Sequence, residues 1–129
     1  MTGTTPTLDL TTDTLFSTVK REGIALVDWW ASWCGPCRAF APVYAKVAER
    51  HPDIVFGNVD TEAEGPLAAA FEIRSIPTLM VFRGGVLLFS QAGMLPERAL
   101  ESLIERVRAL DMDEVRRKIA DARPTPASG

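Results

Sequence analysis

Hydrophobic residues recur along this chain in two rhythms, every second residue or every third and fourth, and their alternation outlines a fold. Residues 7–10 read as a short extended piece after Pro6. A helix follows from an N-cap at Thr11 or Thr12, with Leu15, Phe16 and Val19 as its apolar stripe and Gly23 as its stop. Ile24-Ala25-Leu26-Val27-Asp28-Trp29-Trp30 is apolar on both faces, the pattern of a central strand covered by helices on each side. From Cys37 to about residue 50 the spacing turns helical, through Phe40, Val43, Tyr44, Val47 and Ala48. Pro42 lies inside that run and predicts a bend, because the periodicity resumes beyond it.

A second buried strand is predicted over 54–59, and a short helix over 65–72 with Leu67, Ala70 and Phe71. The strand 78–82, the turn Gly84-Gly85 and the return 86–91 read as a hairpin that Gly93 ends. Pro96 opens a long amphipathic helix with Leu100, Leu103, Ile104, Val107 and Leu110 on one face. Met112, Val115, Ile119 and Ala122 mark a further helix, with Asp113/Arg117 and Glu114/Lys118 spaced to pair along it. The strand-helix alternation followed by a hairpin and a helix predicts an α/β mixed sheet between helices. The expected organisation is a main domain over 1–110, a helical extension over 111–122 and a flexible tail over 123–129.

With 129 residues, 47% hydrophobic and 24% charged, the chain has one domain's length and the usual globular balance. Its formal charge of −3 gives no basic field for nucleic acid or an anionic membrane. No apolar run approaches the ~20 residues of a membrane span. The segment Met1-Thr2-Gly3-Thr4-Thr5-Pro6 lacks the positive charge and apolar core of a secretory signal. Since the chain begins with methionine, no removed presequence is expected. Two cysteines in a single Cys-x-x-Cys suit a reducing compartment, so a cytoplasmic location is expected.

Both cysteines sit in Trp33-Cys34-Gly35-Pro36-Cys37, where the central strand gives way to a helix. Unsatisfied N–H groups and the positive end of the helix dipole favour a thiolate at Cys34. Such a thiolate is a populated nucleophile and a good leaving group. Cys37, one turn inside the helix and shielded, is the natural resolving thiol. Pro36 falls in the first helical turn, where its missing N–H costs nothing. The alternatives are half of a zinc site or two structural thiols. Zinc needs four ligands, however, and the one further soft candidate, His51, lies at the far end of the same helix.

Asp28, six residues before Cys34, places a carboxylate in a buried strand. Burial raises its pKa, and a carboxyl group near neutrality can exchange a proton with a thiol. The competing reading is a structural Asp satisfied by backbone or water. Pro77, after Ile76 at the entry to a strand, is either an edge device or a cis-proline. Trp29 and Trp30 read as core, Trp33 as exposed docking surface, and His51 as a helix-end dipole partner. Phe40, Tyr44 and Phe71 read as core, and Thr61-Glu62-Ala63-Glu64 as a solvated acidic turn.

Asp28-Trp29-Trp30-Ala31-Ser32-Trp33-Cys34-Gly35-Pro36-Cys37-Arg38, then Asn58-Val59-Asp60, Ile76-Pro77-Thr78, Gly84-Gly85 and Gly93, resemble the thioredoxin family in its own order and spacing. The resemblance covers roughly residues 8–110. It implies a five-stranded mixed central sheet, four flanking helices and an additional C-terminal helix here. It also implies that Cys34 attacks a substrate disulfide, that Cys37 resolves the mixed disulfide, and that Asp28 assists Cys37. Pro77 matches the family's cis-proline. Trp33, Gly35, Pro36, Ile76, Gly93 and Met94 match, together with it, the apolar rim that grips substrate backbone. No cofactor or metal is implied in the chain itself. NADPH and FAD belong to the expected partner, thioredoxin reductase, and the other partners are disulfide-containing client proteins. A monomer is expected.

Three features depart from the family pattern. Asn58 stands where members often carry a lysine, Trp29 where phenylalanine is usual, and residues 111–129 extend past the usual end. An N-terminal zinc-binding module, carried by some members of the most similar subgroup, is absent from this sequence. Besides a protein-disulfide reductase, two readings compete. A thiol oxidase or isomerase ranks lower because such proteins usually carry histidine where Pro36 stands. A non-catalytic interaction module would draw on Met112, Val115 and Ile119 of the extension.

Overall fold

The fold comes from a computed structural model, which describes residues 6–122. Five strands, β1 (Thr7–Asp9), β2 (Ile24–Trp30), β3 (Val55–Asp60), β4 (Thr78–Arg83) and β5 (Val86–Ala92), form one sheet in the order β1-β3-β2-β4-β5. The first three run parallel, and β4 and β5 are antiparallel additions, so the sheet is mixed. The helices are α1 (Thr12–Val19), α2 (Gly35–Arg50), α3 (Gly65–Ala70), α4 (Glu97–Ala109) and α5 (Met112–Ala122). The tail expected over 123–129 lies outside the described residues.

Strand β2 is buried on both faces because its alternate side chains serve two cores. Ile24 and Leu26 pack with Phe40, Tyr44 and Val47 of α2 and with Leu100, Ile104 and Val107 of α4. Val27 and Trp29 pack with Leu15, Val19, Leu67 and Met80 on the opposite face. By this period of two, Asp28 falls on the face of α2. The helix runs unbroken past Pro42, as the resumed periodicity predicts.

The Gly84-Gly85 turn has φ values of 58° and 80°, the left-handed geometry a tight hairpin requires of both residues. Arg83, just before it, donates to the carbonyls of Val107 at 2.8 Å and Leu110 at 3.0 Å, closing the C-terminal end of α4. His51 caps α2 and bridges to α4, with Nε2 2.6 Å from Glu101 and Nδ1 3.0 Å from Arg108.

Some expectations shift. Phe16 is 47% exposed, with its ring 5.9 Å from that of Phe71 between centroids. In α3 the buried pair is Leu67 and Ala68, not Ala70, because a six-residue helix presents little more than one turn to the sheet. Phe71 and Trp30 are half-buried instead of core. Leu110 caps the end of α4 and is 38% exposed instead of lying in the core. Helix α5 forms over the expected span but buries no residue; of its two expected ion pairs, Glu114–Lys118 closes at 3.4 Å.

Candidate active site

The site lies beyond the carboxyl ends of the parallel strands, where an open α/β sheet leaves room for a ligand. Cys34 is the N-cap of α2, and the Cys37 N–H points at its Sγ from 3.2 Å. The two cysteines are joined by a disulfide with their Cα atoms 5.2 Å apart. When that bond opens, the same N–H and the helix N-terminus are in place to stabilise a Cys34 thiolate. Trp33, Gly35 and Pro36 around Cys34 are exposed, while Cys34 and Cys37 themselves are both buried.

The Ile76–Pro77 peptide bond is cis, which decides between the two readings of Pro77. Its loop lies against the cysteines: the Ile76 carbonyl oxygen is 3.7 Å from Cys34 Sγ. The Pro77 carbonyl accepts the Gly93 N–H at 2.7 Å, and Gly93 takes a φ of 98°. Met94 therefore follows directly on a residue tied to the proline loop, with 42% of its surface exposed. The residues read as a rim from the sequence thus come together along three segments, 33–36, 76–77 and 93–94.

Behind the cysteines, Asp28 and Cys37 line one cavity of about 310 Å³, with Trp30, Arg38, Tyr44 and Asn58 among its other walls. Asp28 is 3% exposed, and its Oδ1 has no hydrogen-bond partner among the described residues. Burial raises its pKa to about 7. Tyr44 donates to the Gly57 carbonyl at 2.7 Å, and burial together with the nearby Asp28 carboxylate pushes its own ionisation well above the ordinary value.

Glu62, expected only as part of a solvated acidic turn, is a neighbour of the site. Its Oε2 accepts the Trp33 indole N–H at 3.2 Å, so the acidic turn holds a rim residue in place. Glu64 of the same turn accepts from both N and Oγ1 of Thr12 at 2.9 Å. The missed signal lay in strand pairing. Trp30 is the register partner of Asp60, so Trp33 and Glu62 fall just past two adjacent strand ends. The turn is fixed by Asp60, whose Oδ1 accepts the Glu62 N–H at 2.9 Å.

A Cys-x-x-Cys at a strand-to-helix junction, open to an apolar rim in front and backed by a buried acid, defines a thiol-disulfide exchange protein. The sequence profile of the family described as Thioredoxin matches residues 6–106. Putative thioredoxin 2 of Streptomyces coelicolor is 54% identical over 117 residues, covering 91% of this chain and 87% of its own. The thioredoxin of Bacillus subtilis is 34% identical over 96 residues, covering 74% of this chain and 92% of its own. Among solved structures, a single-residue mutant of a thioredoxin from Halobacterium salinarum superposes with a TM-score of 0.75 at 29% identity, covering 86% of this chain and 99% of that one. The chain belongs to the thioredoxin family, and with its cysteines at disulfide distance it is a thiol-disulfide oxidoreductase acting as a protein-disulfide reductase. Among the described residues no cluster of potential metal ligands occurs, and no helix is long and apolar enough to cross a membrane.

Proposed function

We propose that Cys34 is the attacking thiol, Cys37 the resolving thiol and Asp28 the proton acceptor for Cys37. The carrying observation is the two-sided placement of the pair, with Cys34 at the helix cap beside the rim and Cys37 on the wall of the Asp28 cavity. The Cys34 thiolate attacks one sulfur of a client disulfide, and the other client sulfur leaves as a thiolate and takes up a proton. Cys37 then gives its proton to Asp28 and attacks Cys34 Sγ. The mixed disulfide breaks, the second client sulfur leaves, and two electrons have passed from protein to client.

Trp33, Gly35, Pro36, Ile76, Pro77, Gly93 and Met94 hold an extended client segment during exchange, with specificity left undemanding by their apolar character. A flavin- and NADPH-dependent thioredoxin reductase restores the dithiol. The protein acts in the cytoplasm, as a monomer, in electron transfer to disulfide-containing proteins.

The test couples insulin reduction to NADPH oxidation through thioredoxin reductase and measures the Cys34–Cys37 potential in a glutathione buffer. Turnover with a potential well below the glutathione couple supports the reading; a potential well above it makes the protein a disulfide donor. A docking role without chemistry draws support from α5, which buries no residue and leaves Ile119 44% exposed. Full cellular function of a Cys34→Ser/Cys37→Ser variant would establish that role.

A further inference from the structure

We propose that Met94 is an oxidation-sensitive switch on the client-docking rim, its thioether converted to the sulfoxide by hydrogen peroxide. The inference rests on the rim reading above.

Sulfur is distributed unevenly in this fold. With the disulfide closed, Cys34 and Cys37 are 4% and 3% exposed and have no thiol left to oxidise. Met80 is buried in the core, and Met112 is half-buried on α5, away from the cysteines in the chain. Met94 is the most exposed of the described methionines. It also directly follows Gly93, whose N–H donates to the Pro77 carbonyl at 2.7 Å, and the adjoining Ile76 carbonyl oxygen lies 3.7 Å from Cys34 Sγ.

Susceptibility and consequence therefore coincide at one side chain. The thioether sulfur attacks one peroxide oxygen and the O–O bond breaks. That oxygen remains on sulfur, its proton passes to the second oxygen, and water leaves. Sulfur is oxidised by two electrons and peroxide is reduced by two, so no further reactant is needed. The product replaces a flexible apolar side chain with a polar, chiral one. Beside Gly93 in the chain, the sulfoxide oxygen must be desolvated whenever an apolar client segment seats over it. The dithiol chemistry is left intact because no bond to either cysteine changes. The result is a two-stage response to peroxide: closing the disulfide first stops electron donation, and oxidising Met94 then weakens docking.

The experiment treats the disulfide form with hydrogen peroxide, maps sulfoxides by mass spectrometry, and re-reduces the cysteines with dithiothreitol. Insulin reduction and the reaction with a small aromatic disulfide are then compared before and after treatment. We expect Met94 to be modified ahead of Met80 and Met112. The kcat/KM for insulin then falls about three- to ten-fold, while the small-disulfide rate and the redox potential stay within about two-fold. Methionine sulfoxide reductase restores the insulin rate. Met94→Leu keeps its own untreated rate after peroxide, and Met112→Leu loses activity as the parent does. Slower modification of Met94 than of Met112, an unchanged insulin rate after Met94 is modified, or an equal loss in Met94→Leu each overturns the switch. An untreated protein that fails to reduce insulin overturns the reductase reading itself, so the two failures are distinguishable.

Discussion

Asp28 and Asn58 are register partners across the parallel pair β2–β3, and both line the cavity behind Cys37. A neutral amide thus stands beside the buried carboxyl group. Arg38 lines the same cavity, but its guanidinium donates to the Ser32 carbonyl at 2.7 Å. Burial is therefore left to raise the Asp28 pKa to about 7 without a paired charge to offset it.

The sign of the resulting pH dependence follows directly. Asp28 keeps its proton in the fold up to about pH 7, whereas the unfolded chain loses it near 3.8. Between those values the folded state binds more protons, so this group lowers stability progressively as pH rises from about 4 to 7. Asp28→Asn removes the penalty. It should match the parent near pH 4 and exceed it at pH 8 by on the order of 2–4 kcal/mol in urea denaturation. Turnover should fall, and the inflection near pH 7 in the rate of mixed-disulfide resolution should disappear. A pH-independent stability difference would mean that Asp28 does not titrate in this window.

The Trp33–Glu62 hydrogen bond assigns a positioning role to an exposed acid. Glu62→Ala removes the acceptor that holds the indole N–H. A hydrogen bond of this kind is worth about 0.5–1.5 kcal/mol, so kcat/KM for insulin should fall roughly two- to ten-fold. Glu62→Gln keeps an acceptor and should recover most of the loss, and the redox potential should not move in either variant. Equal kinetics for Ala and the parent would show that the bond does not position Trp33 in solution.

What could be read from the sequence divides along physical lines. Burial and periodicity declared themselves: β2 appeared with its observed bounds because seven residues, apolar but for Asp28, leave no solvent-facing rhythm. The cysteine chemistry was legible because spacing and the strand-to-helix junction fix it locally. Glu62 was not, since its partner depends on which strand lies beside β2, a non-local fact. Trp29 shows a second limit. Its size fitted a core position, and it is fully buried 5.2 Å from Phe71. Yet its Nε1 finds no partner among the described residues, and only three-dimensional neighbours could reveal that.

Glu72 carries a cost that a single substitution can remove. It adopts φ 55° just after α3, with its N–H on the Ala69 carbonyl at 3.0 Å and the Ile73 N–H on the Ala68 carbonyl at 2.9 Å. These paired bonds form the left-handed helix ending that glycine usually supplies. A side chain there costs on the order of 1 kcal/mol, so Glu72→Gly should raise stability by about that much, less the added freedom of the unfolded chain. Thermal unfolding checks it, and a lower midpoint would mean that the Glu72 side chain stabilises the loop in a way these bonds do not express.

The extension is separable if burial governs stability. Leu100, Ile104 and Val107 of α4 are buried, each contributing about 1.5–3 kcal/mol, whereas α5 buries no residue. Its polar tie to the sheet is a long Arg116 contact, 3.4 Å from the Gly84 carbonyl. The bonds from Arg83 that close α4 end at Leu110 and survive truncation there. A chain ending after Leu110 should therefore fold with a loss below about 1 kcal/mol and reduce insulin at the parent rate. Denaturation and the coupled assay should be run together. A large loss of stability would place α5 within the folding unit, while intact stability with impaired reduction would give the extension a part in docking clients or the reductase.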